Sequence, residues 1–387
     1  MDQREQHLPS DFYRNKFFAG PMMKVSNLPF RLLCLECGAD GVFGPAINCE
    51  AVIASQVDGN NIFYLGNPSK NEIMFRTNEK EKGKLIFQLF SNDSSKAVRA
   101  VEKIYPFVSA IDINCGCPSN FATSKGRGSA LMNSPEIIYD IISTLRRNFP
   151  PTLPLSVKFR IFDEENKDNP EQDENNEIET FEHTQKVEKP LKIKSDKNDM
   201  NCDIKNDDDV NFEKKNIHET IHFASACQMA GASAIILHGR PKKNRHKGEV
   251  KYDEMKIVFD ELSRPSNNDI AKVGNGGIKS RSEGYKMMQI VNCDSVMISS
   301  EALKNPRVFQ SETVADFNAS VATSNARRFV DICVENNCSM NECRFYLLEM
   351  LSKQQEISNS IGYRRLNKAK TVEAFQQILY DEDLFHI

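Results

Sequence analysis

No apolar run in the 387-residue sequence approaches the roughly 20 residues that a bilayer-spanning helix needs, so we do not expect a membrane protein. The opening residues MDQREQHLPSDFYRNKFF lack the apolar core of a signal peptide. They include Asp2 and Glu5, which is atypical of a transit peptide, since transit peptides are poor in acidic residues. These absences predict a cytoplasmic protein, with the nucleus as an alternative compartment.

Regularly paired cysteines are also scarce, although the chain has eleven cysteines. Cys34 and Cys37 form a CxxC, while Cys333, Cys338 and Cys343 recur at five-residue intervals without the paired spacing of a zinc site. Irregular spacing in a long chain without an export signal favours reduced thiols over a disulfide scaffold. We therefore expect structural thiols at these five positions rather than metal or redox sites, and no bound metal.

Negative charge is concentrated in one segment. Residues 163–215 contain 18 Asp or Glu against 9 Lys or Arg, whereas the whole chain has a net charge of −4, so the rest of the chain carries about +5. That mildly basic remainder permits an RNA partner without requiring one. The segment has few apolar residues and no sustained periodicity, so we predict that it is a disordered charged insertion.

Short β-rich runs alternate with helical stretches along residues 1–304, which is typical of strand–helix units around a parallel sheet. Eight such units form a (β/α)8 TIM barrel of the α/β class, and eight strands are predicted. The predicted strands are 16–19, 41–43, 85–89, 110–114, 155–161, 234–238, 271–274 and 295–298. The predicted helices between them include 29–37, 95–104, 135–148, 218–230 and 281–291.

Residues 305–387 show no further strand pattern. The apolar spacing in ARRFVDICVENN, NECRFYLLEMLSK and TVEAFQQILYDEDLF is helical, which predicts a separate C-terminal helical domain. Its basic stretch GYRRLNKAK could bind phosphate groups or form a solvated helix face.

The active site of a (β/α)8 barrel lies at the C-terminal ends of the strands, which makes the residues there candidate site residues. They are Pro21, Met22, Gln88, Asn114, Cys117, Lys158, His238, Asn275, Gly276, Gly277, Ser299 and Ser300. Lys158 lies on an otherwise apolar strand, so its ammonium either reaches the barrel mouth or finds an anion; an exposed strand-end lysine is the alternative. His238 is a candidate ligand contact or a structural histidine. Gly276 and Gly277 let backbone N–H groups approach a phosphate, although two-glycine turns are common.

The run AIDINCGCPSNFATSKGRGSALM is the most informative stretch. A strand ends in Asn114, and Cys117 follows at the mouth of the predicted barrel. As a nucleophile Cys117 would need activation to the thiolate, and no histidine lies nearby in sequence. As a general acid it needs only to keep its proton and to be positioned by the strand end. A buried thiol at a tight turn is a better interpretation of Cys115 than of Cys117.

With these residues in place, the chain resembles the tRNA dihydrouridine synthase family, and most of all its eukaryotic branch that acts on position 20 of the D-loop. The resemblance covers residues 17–309 apart from the insertion and is weaker in the helical tail. Its most specific element is the motif N-x-G-C-P at Asn114–Pro118, followed by Lys125, Gly126 and Gly128.

The resemblance implies a cofactor, a reductant and a partner. FMN would be bound by Pro21, Met22, Met23, Gln88, Lys158, His238, Asn275, Gly276, Gly277, Ser299 and Ser300. NADPH or NADH would reduce the FMN, a hydride would pass from FMN to C6 of a uracil ring in tRNA, and Cys117 would protonate C5. The tRNA would contact Asn114, Lys125, Arg240, Arg364, Arg365 and Lys368, and we expect the protein to be monomeric.

Two positions depart from the family pattern. Ser300 stands where the family usually has an arginine, and Gly44, Pro45 and Ala46 replace the acidic residues often found after the second strand. A phosphate that is bound by backbone N–H groups tolerates the serine.

Two other functions fit the same sequence. A barrel oxidoreductase that uses FMN and acts on a free pyrimidine, similar to dihydroorotate dehydrogenase, would have no use for a basic helical tail. A non-catalytic tRNA-binding protein could have kept the barrel and lost the flavin. Turnover of free pyrimidines would indicate the former, and the absence of flavin after purification would indicate the latter.

Deletion of residues 164–214 should leave folding and activity largely intact, because the segment lacks the apolar residues that a core requires. The melting temperature and the soluble yield of the deletion variant measure this. A collapse of either would contradict the interpretation of the segment as a disordered insertion.

Overall fold

The computed structural model describes residues 8–65, 72–162, 207–243, 248–264, 269–311, 317–381 and 384. Eight parallel strands close into a barrel, in the order β2-β1-β12-β11-β10-β9-β8-β7, and the pairing of β2 with β7 completes the ring. Their bounds are β1 Phe17–Ala19, β2 Gly41–Phe43, β7 Leu85–Phe90, β8 Ala110–Asn114, β9 Leu155–Arg160, β10 Ala234–His238, β11 Ala271–Asn275 and β12 Ser295–Ile298. Each lies within two residues of a predicted strand, so the predicted (β/α)8 barrel is confirmed.

Helices connect most of the strands and cover the outside of the barrel. The bounds are α1 Leu28–Glu36, α2 Cys49–Ala54, α3 Ser94–Ile104, α4 Asn120–Thr123, α5 Pro135–Asn148, α6 Asp207–Met229, α7 Tyr252–Leu262, α8 Arg281–Val291 and α9 Ser300–Lys304. The short helices α2, α4 and α9, and the longer α7, are additional to the predicted helices. Among the described helices, none is long and apolar enough to cross a membrane.

The floor of the barrel is an apolar cluster that is separate from the core between strands and helices. It contains inward-facing side chains of seven strands together with Tyr13 from the 3-10 helix Pro9–Tyr13. The members are Tyr13, Phe18, Phe43, Ile86, Ala110, Ala234, Ile236, Ala271, Val273 and Met297. Because side chains alternate across a strand, the residues two positions further along each strand also face inward, nearer the mouth.

A second, three-stranded antiparallel sheet lies in the segment between β2 and β7 and was not predicted. Its strands are β4 Gln56–Val57, β5 Ile62–Tyr64 and β6 Ile73–Arg76, while β3 Ile47–Asn48 extends the barrel sheet beside β7. Strands of two to four residues are too short to show an alternation that stands out from the surrounding loop. Phe63 and Phe75 anchor this sheet on the barrel through edge contacts with Phe107 and Phe87.

The described chain after Lys304 contains no strand, in agreement with the predicted helical tail. Its helices are α10 Ala319–Glu335, α11 Met340–Ser352, α12 Gln355–Asn359, α13 Ile361–Lys368 and α14 Val372–Tyr380. Tyr346 of α11 packs between Phe30 of α1 and Phe329 of α10, with ring centroids 4.8 Å apart on each side. Arg76 of β6 donates hydrogen bonds to the backbone carbonyls of Asn336 and Asn337. The helical tail is therefore joined to the barrel by packing and by polar contacts.

The charged insertion lies mostly outside the described residues, which resume at Asp207. Helix α6 begins there, eleven residues earlier than the predicted helix. A deletion that ends at residue 206 rather than 214 would therefore leave this helix complete.

A fully buried ion pair links the base of α1 to the segment before β7. Arg31 and Glu81 are each 1% exposed, and two hydrogen bonds of 2.6 and 3.1 Å join them. Arg31 also donates to the backbone carbonyls of Ser26 and Arg76. A charge left without its partner in such a place is costly.

Replacement of Glu81 by alanine should lower the free energy of unfolding by about 3–5 kcal/mol, because Arg31 would remain buried without its counter-ion. Urea unfolding of the purified protein measures this. Glu79→Ala, an exposed change in the same turn, is the matched control and should have a small effect. Equal unfolding midpoints for the two variants would contradict the prediction.

Candidate active site

Above the apolar floor, the inward-facing residues of five neighbouring strands are polar. They are Gln88 on β7, Asp112 and Asn114 on β8, Ser156 and Lys158 on β9, His238 on β10 and Asn275 on β11. On β7, β8, β10 and β11 these residues lie two or four positions after an apolar floor residue, so they face the same way. On β9, Ser156 and Lys158 lie in register with inward-facing residues of the neighbouring strands. The strands therefore collect the predicted rim residues at one end of the barrel.

A chain of buried hydrogen bonds crosses this polar layer. Asn114 Nδ2 donates to Gln88 Oε1 at 2.8 Å, and Gln88 Nε2 donates to Asp112 Oδ2 at 2.7 Å. Ser156 Oγ donates to the other carboxyl oxygen of Asp112 at 2.6 Å. Gln88 was predicted as a cofactor contact. Both the oxygen and the nitrogen of its side-chain amide take part in this series of hydrogen bonds. Asp112 is a site residue that the sequence reasoning missed.

The loop after β8 carries Cys117 to the mouth. Asn114 Oδ1 accepts hydrogen bonds from the backbone N–H groups of Gly116 at 3.1 Å and Cys117 at 3.0 Å, so one side chain fixes both the strand end and the loop. Cys117 is partly exposed, and its Sγ lies 3.2 Å from Ser119 Oγ. Cys115 is fully buried, and burial raises the pKa of its thiol well above the ordinary value. The accessible thiol is therefore that of Cys117.

Close backbone packing fixes the position of this loop. A Cβ atom at Gly116 would lie 3.2 Å from Phe159 Cα, so only glycine allows this approach to β9 without displacement. Arg160 Nε donates to the Gly116 carbonyl at 3.0 Å, and Arg160 Nη1 donates to the Arg240 carbonyl at 3.3 Å. Arg160 thus joins the loops after β8 and β10.

The far end of the loop is anchored by charge. Arg127 Nη2 lies 3.0 Å from Glu50 of α2, and Lys96 of α3 lies 2.7 Å from the same carboxylate. Lys96 first, and Arg127 second, lower the pKa of Glu50 to about 2. Glu50 follows the second barrel strand, shortly after Gly44, Pro45 and Ala46, which replace the acidic residues often found there in the family. Its contact with Arg127 was not predicted, because the two residues are far apart in the sequence.

Lys158 extends toward the mouth with no hydrogen bond or ion pair to any residue in the described part of the chain. It is partly buried, and burial first and Arg160 second lower its pKa to about 8, while Asp112 acts in the opposite direction. An ammonium with this surrounding is stabilised by any anionic group that binds at the mouth. The assignment of Lys158 as a cofactor contact stays a prediction.

The opposite wall is formed by the turn after β11. Gly276 and Gly277 both have positive φ values, 124° and 75°, which favour glycine. A Cβ atom on Gly276 would lie 2.9 Å from the ring of His238, so this ring packs on the turn. Asn275 Nδ2 donates to the Met297 carbonyl at 2.9 Å and ties the turn to β12. Gly276 is buried, whereas Gly277 is exposed at the rim.

The other residues that were predicted to contact the cofactor or the tRNA lie at different distances from the polar layer of the barrel. Ser299 packs against Gly20, just before Pro21, Met22 and the exposed Met23, and Ser300 opens α9. Arg240 approaches Gly277, while the exposed Lys125 lies over the Phe121 ring at 5.6 Å. Arg364, Arg365 and Lys368 are exposed on α13, and within the described residues none of them makes a hydrogen bond or an ion pair with the rim. The structure thus gathers the barrel residues and leaves these three apart.

Replacement of Asp112 by asparagine should change how stability depends on pH. Burial raises the pKa of Asp112 from 3.8 to about 7. The folded protein keeps a proton that the unfolded chain releases, so wild-type stability should fall as pH rises from about 4 to about 7, by up to about 4 kcal/mol. Asparagine resembles the protonated acid and should remove this part of the pH dependence.

Urea unfolding at about pH 5 and about pH 8 measures the effect. Asp112→Asn should be less sensitive than wild type to this change of pH. The control is Asp140→Asn, an exposed change on α5 that should keep the wild-type response. The same response in wild type and Asp112→Asn would contradict the prediction.

Known proteins match both the barrel and the helical tail. The family model for dihydrouridine synthase (Dus) matches residues 17–178 and 202–378. The tRNA-dihydrouridine(20) synthase (NAD(P)+) of Schizosaccharomyces pombe is 24% identical over an alignment of 378 residues, and the match covers 93% of this chain and 66% of that protein.

Two other relatives match a smaller part of the chain. A human tRNA-dihydrouridine(20a/20b) synthase (NAD(P)+)-like protein is 25% identical over 75% of this chain and 69% of its own length. The tRNA-dihydrouridine(20) synthase (NAD(P)+) of Saccharomyces cerevisiae is 37% identical over 39% of this chain and 42% of its own length. The chain thus spans about two thirds or less of the length of these relatives. The family match covers most of the chain and includes the Cys117 loop, so the chain belongs to the dihydrouridine synthase family.

Proposed function

We propose that this protein reduces a uridine in the D-loop of tRNA to 5,6-dihydrouridine, with FMN as cofactor and NADPH or NADH as reductant. The observation that carries the proposal is the position of Cys117, an accessible thiol that Asn114 fixes at the mouth of a barrel whose interior presents Lys158. The names of the relatives support the reaction and the nicotinamide reductant.

The mouth of the barrel fits FMN. Lys158 offers an ammonium that has no partner within the described residues, which suits a ring that gains negative charge on reduction. The glycine turn after β11 offers backbone where a phosphate could approach closely. The residues that would hold the cofactor are Pro21, Met22, Met23, Gln88, Lys158, His238, Asn275, Gly276, Gly277, Ser299 and Ser300. When bound, FMN would supply the hydride that is added to C6 of the uracil ring.

The role of Cys117 is to hold a proton and deliver it to C5. Reduction of the C5–C6 double bond requires one hydride and one proton, and a positioned acid can supply the proton as the second bond forms. The thiolate that remains takes up a proton from solvent, and the hydroxyl of Ser119, 3.2 Å away, can donate a hydrogen bond to it. Asn114 fixes the Cys117 backbone and thereby the direction from which the proton arrives.

A base within folded tRNA must be turned out of its stack before it can enter the barrel. Cations around the mouth and on α13 would hold the phosphate backbone while this happens. They are the exposed Lys125, Arg364, Arg365 and Lys368 and the partly buried Arg240. Helix α13 belongs to the proposed tRNA-binding domain, residues 305–387.

Position 20 is the proposed target. The Schizosaccharomyces pombe relative named for position 20 matches 93% of this chain, whereas the human relative named for positions 20a and 20b matches 75%. Incubation of the purified protein with NADPH and tRNA from a strain that lacks dihydrouridine, followed by mapping of the modified base, tests the position.

Replacement of Cys117 by alanine should lower the rate of dihydrouridine formation by a factor of about 100 or more, because the proton donor is lost. Bound flavin and its reduction by NADPH should persist, since this thiol is assigned to the later step. Cys115→Ala is the matched control, and it removes a buried thiol two residues away and should keep most of the activity. Full activity of Cys117→Ala on tRNA would refute the proton-donor role.

A further inference from the structure

Three thiols converge where the helical tail meets the small β-sheet. The Sγ atoms of Cys333, Cys338 and Cys343 all lie within 4.8 Å of one another. Cys333 and Cys343 are 0% exposed and Cys338 is 7% exposed. No other histidine, cysteine or acidic side chain in the described ranges places a ligand atom in the same cluster.

The turn between α10 and α11 builds this cluster. Cys333 lies in the last turn of α10, and the N–H of Cys338 returns to the Cys333 carbonyl at 2.8 Å. The N–H of Asn337 bonds to the Val334 carbonyl at 3.1 Å, and Asn337 has a φ of 48°. These bonds and the left-handed residue form a Schellman motif, which reverses the chain in a fixed geometry. Cys343 then enters from the first turns of α11, which Ser339 and Glu342 cap.

The spacing of the thiols suits a single metal ion. Three sulfur atoms at about 2.3 Å from a tetrahedral zinc ion would be separated by about 3.8 Å, which lies within the observed limit. A disulfide would use two of the three thiols and leave the third unexplained. An iron–sulfur cluster usually takes four cysteines, and the described residues provide three here.

Positive charge lies beside the cluster. The guanidinium of Arg76 donates hydrogen bonds to the carbonyls of Asn336 and Asn337, the two residues that precede Cys338. Arg76 also lies 3.6 Å from Glu342, the residue before Cys343. The cationic side of the cluster is thus Arg76, which would offset the net negative charge of one zinc ion with three thiolates.

We propose that Cys333, Cys338 and Cys343 bind one zinc ion as thiolates, with water as the fourth ligand on the Cys338 side. The ion fixes the turn between α10 and α11, and Arg76 transmits that position to β6 through the carbonyls of Asn336 and Asn337. The ion is structural and lies outside the barrel mouth. This inference is independent of the proposed reaction. It departs from the expectation of no bound metal, which rested on paired spacing alone.

Metal analysis of the full chain, purified without chelator, tests the proposal. We expect one zinc ion per chain in wild type, and loss of that ion in Cys338→Ser and Cys343→Ser. The control is Cys293→Ser, a buried thiol on another element that should keep the ion. Zinc content well below one per chain in wild type, also after incubation with zinc salt under reducing conditions, would overturn the proposal, whatever the variants do.

Two further measurements separate zinc binding from a merely buried thiol cluster. Chelator should lower the melting temperature of wild type and leave that of Cys338→Ser unchanged, because the variant has no ion to lose. Substitution with Co²⁺ should give a thiolate-to-metal charge-transfer absorption in wild type and in Cys293→Ser. A disulfide between two of the three cysteines in the freshly purified protein, or an unchanged cobalt spectrum in Cys338→Ser, would also refute the site.

Discussion

The interior of a closed eight-stranded barrel must be filled by its own side chains. The rest of this structure depends on which of these side chains are apolar and which are polar. Near the N-terminal ends of the strands the inward side chains are apolar and need no partners. Near the C-terminal ends they are polar, and each buried polar atom requires a hydrogen bond or a ligand. Asn114, Gln88, Asp112 and Ser156 satisfy one another, whereas Lys158 has no such partner among the described residues. The ammonium of Lys158 would therefore favour an anionic ligand at the mouth, as the proposed function requires.

The same packing controls the one accessible thiol of the mouth. Asn114 takes part in the buried chain with its amide nitrogen and in the Cys117 loop with its amide oxygen. The interior of the barrel therefore sets the position of a loop that stands at its surface. Gly116 and Arg160 hold the loop from the side of β9, and Glu50 holds it from α2. The proton donor proposed for this loop would gain its precision from these fixed contacts.

The barrel strands were predictable because each is a compact apolar run between helical stretches, and the order of strand and helix repeats eight times. The candidate residues at the mouth were predictable because the active site of a (β/α)8 barrel lies at the C-terminal ends of its strands. The hydrogen-bond chain did not follow, because it depends on which residues of neighbouring strands lie in register, as Gln88 and Asp112 do. The ion pair of Glu50 with Arg127 and the convergence of Cys333, Cys338 and Cys343 were not predicted, for a related reason. Their partners come together through loops and helix ends, where sequence spacing carries little information about distance.

The contact between Arg76 and the turn after α10 tolerates substitutions in the turn better than substitutions of Arg76. Arg76 binds the turn after α10 through main-chain carbonyls, and a substitution at Asn336 or Asn337 would leave a carbonyl in place whatever the new side chain. On the barrel side, by contrast, this contact depends on one replaceable side chain, the guanidinium of Arg76. The polar contact between this turn and Arg76 therefore depends on the side chain of Arg76 and not on the side chains of Asn336 and Asn337.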